Sequence, residues 1–287
     1  MKKLLDLIKH VASLVAPRLL GWVPKRFKLL YPFYLAGQLH TVEDTHMTPA
    51  LPAEFDGFTI AYASDIHYGP LFHREEALAL FDRLVALQAD LTVLGGDYGN
   101  SPENALGFFE LIPPFPKDRQ VVAVLGNHDY GPDWPGMAER LRAQMEQKNI
   151  RLLLNQTMLV IRGGTTLAVC GPEDIRSSQP DLEALAREAA EADFVLFIPH
   201  SPDIIPKALE SSLRFHLALC GHTHGGQLVF FGRSLHSSSV YGDRYRAGWY
   251  EENGAYIHVS EGVGTSILPM RIGTRAQIHR LILRRVA

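Results

Sequence analysis

The sequence predicts an α/β or α+β protein with one large mixed core. Three observations carry that prediction. First, 287 residues, 46% hydrophobic and 21% charged, suit a globular chain that buries roughly 75% of its unfolded surface without staples. Second, from Phe58 onward short apolar runs of strand length alternate with helical stretches. Third, after Gln227 the pattern turns mostly β, so βα units are followed by a β-rich half. Only Cys170 and Cys220 are present, which excludes a disulfide framework and a cysteine-based zinc site. No run of about 18 uncharged apolar residues suggests a membrane span, and there is no internal repeat or low-complexity tract.

Residues 1–40 form the first unit. They carry Lys2, Lys3, Lys9, Arg18, Lys25, Arg26 and Lys28 against Asp6 alone, a surplus of six positive charges in a chain of net charge −3. The remainder is therefore acidic, which argues against broad nucleic-acid binding. On a helical wheel, Lys2, Lys3, Asp6, Lys9, His10 and Ser13 share one arc of roughly 120°. Leu4, Leu5, Leu7, Ile8, Val11, Leu14 and Val15 fill the rest, and Pro17 stops the helix. A wide apolar face beside lysines is the pattern of a helix lying in a membrane interface. Trp22, Phe27, Tyr31, Phe33 and Tyr34 continue it among cations. A secretory signal fits poorly, because Asp6 and Lys9 break the apolar stretch and no cleavage site follows. The expectation is a chain on the cytoplasmic side, peripheral on an anionic membrane surface. Residues 41–57, with Pro49 and Pro52, read as a linker to a domain over 58–287.

Within that domain Phe58–Ser64 reads as a buried strand and Arg74–Gln88 as a helix with Leu78, Phe81, Leu84, Val85 and Leu87 on its apolar side. Strands follow at Leu91–Leu94 and Val121–Leu125, then a helix at Trp134–Lys148. Arg151–Leu154, Thr157–Arg162 and Thr166–Cys170 read as strands, the last two joined by a Gly163-Gly164 hairpin turn. Leu182–Ala190 is helical; Phe194–Ile198, Leu217–Cys220, Ala255–Val259 and Gln277–Leu283 are strands.

Five polar clusters stand directly after apolar runs: Asp65-Ile66-His67, Gly96-Asp97, Gly126-Asn127-His128-Asp129, Pro199-His200 and Gly221-His222-Thr223-His224. Ligands of open α/β sheets bind outside the carboxyl ends of strands, so the five would converge on one site. Residues two apart on extended chain point the same way, which lets Asp65 with His67, and His222 with His224, reach one ion. Asp, Asn and His without Cys suit Mn, Fe, Co or Zn rather than a purely oxygen-liganded calcium site. The other eight histidines, His10, His40, His46, His73, His216, His236, His258 and His279, read as packing or surface residues. Tyr68, Tyr98 and Tyr130 follow these motifs and either line a pocket or simply pack.

In this order, these motifs resemble the signature of the calcineurin-like metallophosphoesterases, over residues 58 to about 283. Gly221–Gln227 and the run Glu261–Arg271 resemble the bacterial YkuE/YaeI-like branch, which includes membrane-associated phosphodiesterases and UDP-2,3-diacylglucosamine pyrophosphohydrolases. The branch's Pro-Glu after the arginine is replaced here by Thr274-Arg275-Ala276-Gln277. The resemblance implies a four-layer αββα sandwich of two mixed sheets and two divalent metal ions, Mn²⁺ foremost, with Fe, Zn or Co as alternatives. It implies that Asp65, His67 and His224 hold one ion, that Asn127, His200 and His222 hold the other, and that Asp97 bridges both. His128 would be the free catalytic acid and Asp129 would orient it.

Two adjacent cations can clamp the attacking and leaving oxygens of a displacement at phosphorus, with metal-bound hydroxide as nucleophile. The expected activity is hydrolysis of a phosphodiester or pyrophosphate in a lipid or nucleotide-lipid such as UDP-2,3-diacylglucosamine. Hydrolysis of a small cyclic nucleotide or nuclease action at the same site is the alternative. A non-enzymatic membrane adaptor fits less well, because the ligand and acid set is complete. No G-x-S-x-G elbow, P-loop, H-E-x-x-H or C-x-x-C motif points to other chemistry.

Overall fold

Alternation within short strands builds two cores at once. In β2 (Thr59–Ala63) Ile60 and Tyr62 face a second sheet, whereas Ala61 and Ala63 face helices. The computed structural model describes Val23, Lys25 and residues 28–286; the helix expected over residues 2–16 lies outside them. In chain order come α1 (Tyr31–Gly37), β1 (Leu39–Thr48), β2, α2 (Arg74–Ala86), β3 (Leu91–Leu94), α3 (Pro102–Leu111), β4 (Gln120–Ala123), α4 (Trp134–Gln147) and β5 (Arg151–Leu152). Then follow β6 (Gln156–Arg162), β7 (Thr165–Gly171), α5 (Leu182–Glu188), β8 (Phe194–Phe197), α6 (Ile205–Glu210) and β9 (Leu217–Cys220). A small hairpin, β10 (Val229–Phe230) with β11 (Arg233–Ser234), precedes β12 (Gly248–Glu252), β13 (Ala255–Val259) and β14 (Ala276–Arg285).

The first sheet has the order β1-β14-β2-β3-β4-β5 and the second β12-β13-β9-β8-β7-β6. Both are mixed: β2, β3, β4 and β5 run parallel while β14 is antiparallel to β2, and β7, β8, β9 and β13 run parallel between antiparallel β6 and β12. Between the sheets lie Phe58, Ile60, Tyr62, Val93, Leu167, Leu196 and Leu219. Leu80, Phe81, Phe109 and Leu141 of α2–α4 cover the first sheet's outer face, and Leu185, Ile205 and Ala208 cover the second's. These are the four expected layers. Parallel strands placed side by side bring their carboxyl ends together, and that end carries the polar clusters.

Two expectations are corrected. The linker expected over 41–57 is mostly β1, which pairs in parallel with β14 from Leu39 to Thr48, and Leu51 and Phe55 beyond it are buried in the core. Its inward positions include Asp44, His46 and Thr48, so no apolar run marks it as a strand. The helix α3 was not among the expected elements. Ser101 caps it by accepting the Asn104 amide at 3.3 Å, with proline in the first turn.

Candidate metal centre

Each polar cluster leaves its strand through an abrupt backbone reversal. Asp65, His67, Asp97, His222 and His224 all have φ between +51° and +68°. That left-handed region is uncommon for non-glycine residues, and Asp, Asn and His tolerate it best. Two glycines make the approach possible. A Cβ on Gly126 would collide with the Asp97 carboxylate, and one on Gly221 with that of Asp65.

The strand-end turns lie together, but the two-apart spacing holds only for Asp65 with His67: His222 and His224, read as reaching one ion, fall in different groups. Asp65, His67 and His224 form one group whose ligand atoms all lie within 4.8 Å of one another, and Asp97, His200 and His222 form another. A third combination, His67, Asp97 and His128, overlaps the first two. Asp97 Oδ2 stands 3.6 Å from His67 Nε2 and 3.3 Å from His200 Nε2, so it lies between the groups. His224 Nε2 is 3.0 Å from His67 Nε2 and 3.6 Å from Asp65 Oδ1. Asn127 Oδ1 is buried without a partner.

These residues fit a pair of divalent cations. Carbonyl oxygens fix the histidine tautomers: His67 Nδ1 faces Asn100 Oδ1 at 3.0 Å, and His200 Nδ1 donates to the Gly95 carbonyl at 2.8 Å. Both Nε2 lone pairs therefore turn inward, the usual outer support of a metal-bound imidazole. His222 does the reverse, with Nε2 3.3 Å from the Ser238 carbonyl. Two inward Nε2 atoms 3.0 Å apart, as in His67 and His224, are relieved by a cation that both can bind. The electrostatics agree. Burial lowers His67 and His222 to about 3 and holds His224 well below its ordinary value, so these three rings are neutral, the form that can bind a metal. Burial also lifts Asp65 to about 6, against the pull of His200. Burial opposes charge on His200 and Asp97 as well, yet their mutual attraction wins, leaving His200 raised and Asp97 lowered.

His128 is partly exposed beside this group. Its amide donates to Asp97 Oδ1 at 2.9 Å and its ring meets that of His67 edge-on at 4.9 Å. Asp129 corrects an expectation, because it does not orient His128. Its buried carboxylate accepts the amides of Asp97 (2.8 Å), Tyr98 (2.9 Å) and Gly126 (2.9 Å), so both oxygens are committed to backbone. It positions the Asp97 turn. Tyr98 is fully buried behind the site with its hydroxyl against the Leu94 and Val124 carbonyls, and Tyr130 packs on Trp134.

Sequence reasoning missed several supports. Arg271 is fully buried and donates to the carbonyls of His224, Glu261, Gly262 and Gly264, gluing the His224 turn to the last loop. Arg176 stands in a cavity wall with Asn127, Ser177, Asp203, Val240 and Tyr241. A second cavity of about 300 Å³ has His224 in its wall with Leu228, Leu235, Ile267 and Leu268. Only the apolar residues at 235, 240 and 267–268 could have signalled these walls.

Sandwich and site together define a metal-dependent phosphoester hydrolase. The sequence profile described as "Calcineurin-like phosphoesterase" matches residues 58–226, and the chain belongs to that family. Relatives include "Uncharacterized metallophosphoesterase YkuE" of Bacillus subtilis, 28% identical over 84% of this chain and 84% of that one. An "Uncharacterized metallophosphoesterase" of Aquifex aeolicus is 30% identical over 85% of this chain and 89% of that one. "Phosphodiesterase YaeI" of Escherichia coli is 28% identical over 79% of this chain and 82% of that one. These relatives support the YkuE/YaeI-like branch.

Proposed function

We propose that the chain hydrolyses a phosphodiester or pyrophosphate bond in a lipid or nucleotide-lipid substrate, with UDP-2,3-diacylglucosamine as the model compound. The observation that carries the hydrolytic part is the position of Asp97 between two ligand groups. Asp65, His67 and His224 would hold one ion, Asn127, His200 and His222 the other, and Asp97 both. Two divalent ions bound there supply charge for the phosphate oxygens and acidify a water. Asp97 offsets the repulsion between them and, through the His128 amide, fixes the acid's place. His128, partly open to solvent beside Asp97, would deliver a proton to the leaving oxygen. Arg176, half exposed in the cavity beside Asn127, offers a guanidinium to phosphate oxygens.

The lipid part rests on the surroundings of the centre. Leu235 (69% exposed) and Ile267 (37%) line the cavity at His224, and Val240 (75%) lines the one at Asn127. Phe231 at the β10–β11 tip is wholly exposed. The Arg271 amide donates to the Pro32 carbonyl at 2.9 Å, tying α1 to the loop that carries Ile267. Leu29 and Tyr31, on either side of the start of α1, are exposed. An apolar rim, in a chain whose first 40 residues are basic in sequence, suits an enzyme peripheral on an anionic membrane face. No described helix is long and apolar enough to cross a membrane.

Purified protein with Mn²⁺ should cleave bis-p-nitrophenyl phosphate faster than p-nitrophenyl phosphate, and UDP-2,3-diacylglucosamine faster than phospholipids or cyclic nucleotides. Cyclic nucleotides as the sole substrates would replace the lipid reading with the alternative. Vesicle flotation that is unchanged after removal of residues 1–22 would refute the membrane contact.

A further inference from the structure

A second set of ligand-type side chains lies at the edges of the two sheets, outside the centre described above. β1 is the edge of the first sheet and β12 the edge of the second. Asp44 of β1 places Oδ2 4.0 Å from His258 Nε2 of β13 and 4.0 Å from His279 Nδ1 of β14. One ligand atom of each residue lies within 4.8 Å of the other two. The two imidazoles meet edge to face at 4.4 Å and are 3% and 1% exposed.

Their nitrogens are poorly satisfied. His279 Nε2 stands 3.0 Å from Ser260 Oγ, which also accepts the Gly262 amide, but Nδ1, facing Asp44, has no partner. His258 Nδ1 has none either, and Trp249 closes over that ring at 4.7 Å. Buried polar atoms are ordinarily hydrogen-bonded, so the unpartnered His279 Nδ1, 4.0 Å from the Asp44 carboxylate that also stands 4.0 Å from His258 Nε2, needs an explanation. Burial holds His279 at about 4 and His258 well below its ordinary value. Both rings are therefore neutral, the form that binds metal. An inward acid on an edge strand can serve only to discourage strand pairing, but that role does not involve two buried histidines from other strands.

We propose that Asp44, His258 and His279 form a separate cation site of the zinc type, stapling β1 and β14 of the first sheet to β13 of the second. Two imidazoles and a carboxylate suit Zn²⁺, whose bonds to nitrogen and oxygen are about 2.0–2.2 Å. Ligand atoms 4.0 Å apart straddle such an ion after a small inward shift. Asp44, one-third exposed, leaves an entry path and room for water as a fourth ligand. The role is structural, since both imidazoles are buried and the group joins strands of the two sheets.

The test is ion counting by mass spectrometry on protein equilibrated with buffered Zn²⁺, comparing wild type with Asp44→Asn and His258→Gln. Each variant should hold one ion fewer per chain. Zn²⁺ should raise the wild-type melting midpoint by several degrees more than that of either variant. Equal ion counts in all three would overturn the proposal. Should both variants fail to fold, Zn²⁺-soaked wild-type crystals decide: an anomalous peak between Asp44 and His279 supports the site. Its absence while the Asp97 centre fills overturns it. Occupancy at Asp97 is read separately, so failure of one site is distinct from failure of the other.

Discussion

His128→Ala separates proton delivery from metal binding. The residue's structural contribution is made by its backbone, whose amide donates to Asp97 Oδ1 at 2.9 Å, and alanine retains that bond. Its ring donates to no ligand side chain; Nδ1 only faces the Asn100 carbonyl at 3.5 Å. Metal content should therefore stay near two ions at the Asp97 centre. Loss of a positioned general acid costs typically 10²–10⁴-fold, or about 3–5 kcal/mol of barrier at 1.36 kcal/mol per tenfold. The leaving group supplies a second axis. An alkoxide needs the proton badly, whereas p-nitrophenolate is a weak base and hardly needs it. The variant should lose the full factor on an alkyl phosphodiester and much less on bis-p-nitrophenyl phosphate. Steady-state kinetics on both substrates, beside elemental analysis, measure this. Equal losses on the two substrates, or loss of metal, would show that His128 is not the acid.

Three further outcomes are expected. Asp97→Ala should empty both ion positions, because its carboxylate lies within 3.6 Å of the histidines of both groups; elemental analysis finding two ions retained there would refute the bridge. Asp129→Asn loses acceptor capacity for the amides of Asp97, Tyr98 and Gly126. It should lower stability by about 1–3 kcal/mol in urea unfolding and metal affinity by roughly 10–100-fold. Chelation of the ions by EDTA should lower the melting midpoint of the wild type, since ligands that bind only the folded state stabilise it by mass action; an unchanged midpoint in calorimetry would count against bound ions.

What was legible in the sequence follows from where each signal resides. Asp65, His67, Asp97, Asn127, His200, His222 and His224 were readable because ligand chemistry interrupts an apolar run just where a strand ends, and the structure brings those ends together. β1 was not readable, because its inward positions are Asp44, His46 and Thr48 rather than aliphatic residues, and hydrophobic period is the signal for a strand. His258 and His279 sit inside good strand sequences, where a histidine looks like packing. The Asn100, Gly95 and Ser238 oxygens that set the tautomers come from backbone or from an isolated amide, and no residue type announces them. The resemblance implied that Asp129 orients His128, but a turn sends neighbouring side chains in different directions, and its carboxylate meets backbone amides instead.

The left-handed turns explain why the site was so visible at all. Five of the seven candidate ligands have positive φ, a conformation that costs of order 1–3 kcal/mol per residue when held against preference. Only glycine, Asn, Asp and some His enter it cheaply, so the reversal itself narrows the residue types that can stand there. Ligand chemistry narrows them further, to Asp, Asn and His. Close approach removes side chains from the neighbours, as at Gly126 against Asp97 and Gly221 against Asp65. Three independent constraints thus fall on the same few positions and leave the short Gly, Asp, Asn and His words seen in the chain. The strain is held by the hydrogen bonds to Asp129 and Arg271 behind the turns. Those two buried residues touch backbone rather than substrate, so their substitution should disturb ligand geometry before it disturbs the chemistry itself.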